Sequence, residues 1–522
     1  MRYDGNTGNM EASMKKILSA IFSRLVVTGI LIVLQVLFLV WLLIGFADKF
    51  SIIYGIFELI GVIMFFVLVS EYEDPAFKLP WLTLILLFVP LGGIIYLLFS
   101  RPHFTKGMKK EGYAVYGNLK KVEHGNAVCE ELKDPDMKSQ SSYIYNVTDL
   151  SVHGNTSVRF EPLGEDFWKD LLIDLKNAKH FIFMEYFIIQ EGTMWNAILE
   201  VLKEKVKEGV DVRLMYDDIG CIKLLPSDYD KTLASYGIKT KVFNRFSPAV
   251  SIFHNNRDHR KITVVDGYIG YTGGVNLADE YINAVEVHGH WKDTAVRLEG
   301  EGAENLTKLF MTTWEYTNEL SDEMTPYMPY VYHPGPFAGD GGYTQVYGDS
   351  PYDHENVGEE VYMNIINQAH DYVWIETPYL IISYELMNAM CLAAKRGVDV
   401  RIITPHIADK WFVHIVTQAH YGPLVEAGVK IYEYTPGFIH SKLFVSDDRV
   451  AVVGTINLDY RSLVHHLEDG CWMCGTPAIK AIHDDYVKTL SVSTQETLED
   501  IRKVPFFTRA VRSVIRFFAP LM

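Results

Sequence analysis

Two eight-residue stretches hold the residue types that could do chemistry. HRKITVVD runs from His259 to Asp266 and HSKLFVSD from His440 to Asp447, and both read His-x-Lys-x4-Asp. Each is followed at the same distance by a small-residue turn and an asparagine: Gly273, Gly274 and Asn276 after the first, Gly454, Thr455 and Asn457 after the second. On a strand, His and Lys at i and i+2 emerge on one face. Two such histidines facing one cleft can divide labour, one attacking and the other protonating a leaving group. The lysines, with Asn276, Asn457, Gly274 and Thr455, offer positive charge and hydrogen-bond donors to an anionic phosphoryl group. The lysines themselves neutralise that charge, so no metal and no cofactor is expected. The cluster His465, His466, Cys471 and Cys474 lacks zinc-site spacing. Asp266 and Asp447 belong to the motifs, but each stands at a tight reversal between apolar runs, Asp266-Gly267 or Asp447-Asp448. They read as turn-makers and lysine anchors more than as reacting groups. An attacking imidazole also needs a carboxylate on its other nitrogen to fix its tautomer. Asp293, in HWKD, and Glu468, in HHLED, are the candidates.

The elements that must position these residues occur twice. FIFMEYFIIQ (Phe181–Gln190) leads to a helix from Met194 to Glu208 and then to GVDVR at Gly209. VWIETPYLII (Val373–Ile382) leads to a helix from Glu385 to Arg396 and then to GVDVR again at Gly397. The same order of features implies a duplicated βαβ-type unit, an α/β fold with one pseudo-twofold catalytic cleft. The first half is expected over 150–330 and the second over 343–500. A Pro/Gly-rich connector fills 331–342, and a linker fills 101–149.

The first hundred residues differ in kind. After a polar tail, 1–24, three apolar segments follow at 25–46, 51–70 (with Glu58) and 79–99. Each is long enough to be read as a transmembrane helix at about 1.5 Å per residue. Basic residues flank both the first segment and the third, so the positive-inside rule pulls both flanks inward, which three crossings forbid. The flank after Phe99 is the more basic, placing the catalytic region in the cytoplasm of a multi-pass membrane protein. Five scattered cysteines suit a reducing compartment. A net charge of −17, from 48 basic and 65 acidic residues, argues against nucleic acid as a partner. Residues 501–522 form a basic amphipathic tail, with Phe507, Val511, Val514 and Phe518 on one face and Arg509, Arg512 and Arg516 on another. It suits either an anionic lipid surface or a docking site on the core.

The paired motifs resemble the phospholipase D superfamily. VPLGGIIYLLF (Val89–Phe99), GGVNLADEY (from Gly273), WKDT (from Trp291) and GTINLDYRS (from Gly454) resemble, more narrowly, bacterial cardiolipin synthases over roughly residues 75 to 522. Ile456 stands where relatives often have Ala, and three apolar segments stand where two are usual. The resemblance implies transfer of a phosphatidyl group between two phosphatidylglycerol molecules, giving cardiolipin and glycerol through a phosphohistidine. A hydrolytic phospholipase D, a membrane-anchored nuclease and an inactive scaffold are the alternatives. Arg257, Arg260 and Lys261 crowd positive charge around His259, which favours its neutral, attacking form. In superfamily relatives the N-terminal histidine is also more often the one that becomes covalently linked. His259 is therefore the expected nucleophile, and His440 the expected acid and base.

Overall fold

The computed structural model describes residues 33–34, 37–38, 50–71, 75–88, 91–99, 126–245, 256–316, 324–333, 335–352 and 355–521. The chain divides into two compact units. The smaller comprises Met1–His103, Phe246–Asn255 and Pro520–Met522; the larger comprises Phe104–Arg245 and Asn256–Ala519.

In the smaller unit, helices run over Phe50–Ser70, Pro75–Leu87 and Leu91–Phe99, and Leu68, Trp81, Ile85, Leu91 and Ile95 pack together. The expected third span is two helices rather than one. At about 1.5 Å per residue they are about 20 and about 14 Å long, short of a bilayer core of about 30 Å. Hydropathy averages across such a break and does not register it. Among the described residues no helix is long and apolar enough to cross a membrane. Most of the first expected span, 25–46, lies outside the described residues.

The larger unit is built from two sheets of the same design. The first has spatial order β1 (Thr156–Glu161), β8 (Ala295–Gly300), β6 (Ile269–Gly273), β5 (Lys261–Val265), β2 (Phe181–Tyr186), β3 (Asp211–Asp217) and β4 (Lys239–Phe243). The second has β9 (Tyr343–Asp349), β18 (Glu468–Cys474), β16 (Val450–Gly454), β15 (Leu443–Ser446), β10 (Tyr372–Glu376), β12 (Asp399–Pro405) and β13 (Lys430–Tyr434), with β19 (Ser493–Glu496) added at the edge. The two GVDVR segments enter β3 and β12. Each lies parallel to the strand that opens its repeat, as the crossover of a βαβ unit requires. The crossover helices, Thr193–Lys207 and Tyr384–Lys395, fall within one residue of the sequence reading at each end. One apolar cluster is shared by the two halves, including Phe183, Val264, Leu306 and Phe310 from one and Val445, Met473, Ile482 and Tyr486 from the other. A separate cluster backs each sheet.

Residues 126–149 are not a free linker. A helix at Pro135–Thr148, N-capped by Asp134, packs into the core of the second half. Its Gln140 accepts from Trp472 Nε1 at 2.8 Å. The tail is also structured: helices at Leu498–Lys503 and Phe506–Phe518 follow β19, and the second lies against the helix Trp411–Ala427. Arg512 donates to the Gln418 side chain, and Arg516 donates to the Ala419 carbonyl at 3.3 Å.

Candidate active site

Both motif lysines begin or adjoin a central strand, β5 or β15, and the histidine stands two residues earlier. His259, Lys261, His440 and Lys442 are all buried. The far end of each strand is fixed by the motif aspartate. Asp266 accepts backbone N–H groups from Lys179, His180 and Phe181 at 2.7–2.9 Å. Asp447 does the same for His370, Asp371 and Tyr372 at 2.8–2.9 Å. Both adopt φ values in the left-handed region, 50° and 54°, as the reversal requires. The turn-making role holds, but neither carboxylate anchors a lysine. Each ties its hairpin to the start of the neighbouring strand, β2 or β10.

Each lysine instead folds back on its own motif. Lys261 Nζ donates to the His259 carbonyl, and Lys442 Nζ donates to the His440 carbonyl. Lys442 Nζ also lies 2.8 Å from His440 Nδ1.

The carboxylates arrive from opposite halves. His259 Nδ1 is 2.9 Å from Glu468, and His440 Nδ1 is 2.6 Å from Asp293. The backbone enforces this crossing. His259 N donates to the Leu467 carbonyl at 2.9 Å, next to Glu468; His440 N donates to the Lys292 carbonyl at 2.7 Å, next to Asp293. On the second side a short parallel pairing extends the link, β7 (His290–Lys292) against β14 (Gly437–Ile439).

Gly274 and Thr455, expected at the phosphate, serve these carboxylates. A Cβ on Gly274 would stand 2.0 Å from Asp293 Oδ1, so only glycine leaves that carboxylate room. Thr455 Oγ1 donates to Glu468 Oε2 at 2.5 Å. Asn276 is also engaged: its carbonyl oxygen accepts from Ile188 N at 3.0 Å and its amide donates to Tyr281 Oη at 2.7 Å. Asn457 donates to Ser462 Oγ at 3.1 Å, and its buried Oδ1 has no hydrogen-bond partner among the described residues.

Burial governs the charge states. It pushes His259 down to about 3 and His440 well below its ordinary value, with nearby lysines adding to the effect, so both imidazoles are neutral at physiological pH. Burial likewise lowers Lys442 to about 7 and raises Asp293 to about 7. Glu468 is held below the usual carboxylate range, because its contact with His259 outweighs its burial. The two pairs therefore differ. His259 faces a carboxylate that accepts its Nδ1–H, which leaves Nε2 with a free lone pair. His440 Nδ1 faces a lysine donor and a carboxyl that burial pushes toward its protonated form, two partners able to donate to it.

The charge expected from the arginines is spent elsewhere. Arg257 is ion-paired with Asp217 at 2.7 Å, and Arg260 donates to the Glu468 carbonyl at 3.0 Å and to Thr313 Oγ1 at 2.9 Å. Lys261 is the cation that acts on His259. Sequence reasoning missed three features. Tyr281 and Trp291 each pack their ring 5.5 Å from that of His440. His466 sits with its ring 5.6 Å from that of His259. Glu185 and Glu376 are buried carboxylates at matching places on β2 and β10. The glutamates had a signal, a charge inside an apolar strand repeated in both halves. His466 was dismissed with its cysteine neighbours, yet Cys471 and Cys474 lie in different apolar clusters away from it.

Comparison with known proteins agrees with this arrangement. The family model described as "Cardiolipin synthase, PLD-like domain" matches residues 171–314 and 362–489. An uncharacterised protein of Streptococcus mutans is 42% identical over 89% of this chain and all of its own length. A cardiolipin synthase of Alkalihalophilus pseudofirmus is 32% identical over 89% of this chain and 92% of its own. The crystal structure of phosphatidylserine synthase from Haemophilus influenzae shares the fold, with a TM-score of 0.55 at 13% identity over 74% of this chain and 99% of that one. Two sheets of one design, two crossed histidine–carboxylate pairs and these matches have one meaning: the chain belongs to the cardiolipin synthase family of phospholipase D-like proteins.

Proposed function

We propose that the protein transfers a phosphatidyl group from one phosphatidylglycerol to a second, forming cardiolipin and releasing glycerol. The observation that carries this reading is the pair of buried histidines, each held on a carboxylate from the opposite half. His259 Nε2 attacks phosphorus while His440 Nε2–H protonates the departing glycerol oxygen and His440 Nδ1 takes the proton held by Asp293, so a P–O bond is exchanged for a P–N bond and His440 stays neutral; the Asp293 proton returns in the second half-reaction. His440, now lacking that proton, takes one from the terminal hydroxyl of the second phosphatidylglycerol. That oxygen displaces the histidine, and both side chains return to their starting states. Lys261 and Lys442 balance the charge on the non-bridging oxygens. Apolar walls such as Phe187, Tyr281 and Trp291 disfavour water as the acceptor.

Lipid substrates support a reaction at a bilayer, the basic flank after Phe99 supports a cytoplasmic catalytic region, and the N-terminal apolar segments are the anchor in this reading. The helix Phe50–Ser70 supports an anchoring role, because Ile56, Leu59, Ile63 and Phe66 expose apolar side chains that would need lipid around them. The tail helix supports contact with the lipid surface: Phe506 and Phe507 are 79% and 78% exposed, beside Arg509. The test is lipid mass spectrometry after expression in a cardiolipin-deficient bacterial host. Cardiolipin should appear with the wild-type chain and not with His440→Ala. Accumulation of phosphatidic acid without cardiolipin would instead identify a hydrolase.

A further inference from the structure

His466 is a buried imidazole that the transfer reaction leaves without a task. It is 8% exposed, and neither ring nitrogen has a hydrogen-bond partner among the described residues. Its Nδ1 lies 3.6 Å from Glu468 Oε1, beyond hydrogen-bond reach. A buried polar group without a partner requires an explanation, since its desolvation is otherwise uncompensated. The same carboxylate is 2.9 Å from His259 Nδ1, and one ligand atom from each of His259, His466 and Glu468 lies within 4.8 Å of the other two.

We propose that His259, His466 and Glu468 form a binding site for a zinc-class divalent cation, and that its occupation closes the nucleophile to phosphatidylglycerol. Two imidazoles and one carboxylate are a common three-ligand set for such an ion, leaving a fourth position for water. Ligand atoms about 2.0–2.2 Å from a tetrahedral centre stand closer together than 4.8 Å, so modest side-chain rotations complete the set. Thr455 holds Glu468 from behind, as supporting groups around metal ligands do. The ion would take a nitrogen of His259 and displace the proton shared with Glu468, which removes the tautomer that attack requires. Chain order hides the site, because its first ligand comes from the opposite half of the repeat.

That occupation inhibits the enzyme rests on the phosphatidyl-transfer reading; that the ion binds does not, and the experiment separates the two. The purified full-length protein in detergent is titrated with Co2+ as a spectroscopic substitute, and separately with Zn2+ during turnover of phosphatidylglycerol. One Co2+ per chain should bind with the visible absorption of a four-coordinate site. His466→Asn should weaken binding at least tenfold, while His465→Asn, a control on the adjacent histidine, should leave it unchanged. Zn2+ should inhibit competitively with phosphatidylglycerol and be reversed by a chelator, and His466→Asn should raise the inhibitory concentration at least tenfold. Thermal melting and metal-free turnover of the variant verify its fold. If that variant does not fold, Co2+ binding by His259→Asn decides, because it removes a second proposed ligand and needs no turnover to be read. Absence of Co2+ binding, binding indifferent to His466→Asn, or non-competitive inhibition would overturn the proposal.

Discussion

His259 and Glu468 are 209 residues apart, lie in different halves of the repeat, and meet at 2.9 Å. His440 and Asp293 repeat the relationship in mirror order. Neither half therefore contains a complete histidine–carboxylate pair, and both pairs form only when the two sheets are assembled. The pairing is testable by substitution. Glu468→Gln should lower kcat by about 10²–10⁴, as loss of a tautomer-fixing carboxylate does, with a small change in KM. Combining it with His259→Ala should add almost nothing, because both remove one working unit. Thr455→Val should move kcat the same way by a smaller factor, since it frees Glu468 without removing it. Full activity of Glu468→Gln would contradict the crossed assignment.

The motif aspartates should matter for stability more than for chemistry. Asp266→Ala strips the acceptor from three backbone N–H groups and places alanine at φ 50°. A loss of about 3–5 kcal/mol is expected from these two effects together. Asp447→Ala should cost less, because its site is more open to water. The check is a denaturation curve alongside the kcat of the folded fraction, which should stay within about threefold of wild type. A stable but inactive Asp266→Ala would place the carboxylate in the reaction instead.

How much of this was legible in the chain depends on the distance over which each feature is encoded. The His-x-Lys spacing, the hairpin aspartates and the two GVDVR strands are local patterns, and the repeated sheets followed from them. The crossed pairing is not local: Asp293 and Glu468 each follow the nearer motif in sequence, while the backbone ladders deliver them to the farther one. Gly274 and Thr455 hold equivalent positions and so read as equivalent donors. Contact shows that one makes space for a carboxylate and the other grips one. The helix Pro135–Thr148 escaped because its inward face includes Gln140, Ser141 and Thr148, which no apolar period marks.

Lys442 should set an alkaline limit on substrate capture if it receives the phosphodiester as proposed. Its ammonium is held down to about 7 by burial, so the cation that receives the phosphodiester is present below that pH and lost above it. In kcat/KM, which reports the free enzyme, a descending limb should appear near pH 7. A bound phosphate stabilises the ammonium and should move the corresponding limb in kcat to higher pH. Rate profiles from pH 6 to 9.5 with phosphatidylglycerol in mixed micelles would show the offset. A flat kcat/KM profile through that range would remove Lys442 as the titrating cation.

The tail helix docks on the core and still carries exposed apolar side chains. Arg512 and Arg516 fasten it to the core while Phe506, Phe507 and Val514 remain exposed. Trp411, 72% exposed, opens the helix against which it packs. The double variant Phe506→Ser/Phe507→Ser should reduce turnover on anionic vesicles about tenfold or more, from the lost burial of two aromatic rings. Turnover on detergent-dispersed substrate should be preserved. Equal activity on both would leave the helix a purely structural element.

The last expectation concerns which histidine becomes covalently linked. Both are neutral and buried, so charge state alone does not choose between them. Their Nδ1 partners do. Glu468 is ionised and can only accept, which places the His259 proton on Nδ1 and the lone pair on Nε2. Lys442 at 2.8 Å and Asp293, raised to about 7, can both donate to His440 Nδ1, which places its proton on Nε2, where a leaving group needs it. With labelled phosphatidylglycerol and a rapid quench in denaturing detergent at neutral pH, His440→Ala should retain a small population of phosphatidyl-enzyme, because attack is slowed but the nucleophile is intact. His259→Ala should retain none, and Glu468→Gln should resemble it. Asp293→Asn keeps a group able to donate to Nδ1 and should still accumulate adduct. Label recovered on His440 of the wild-type enzyme would reverse the two roles and require the donors around Nδ1 to be exchanged.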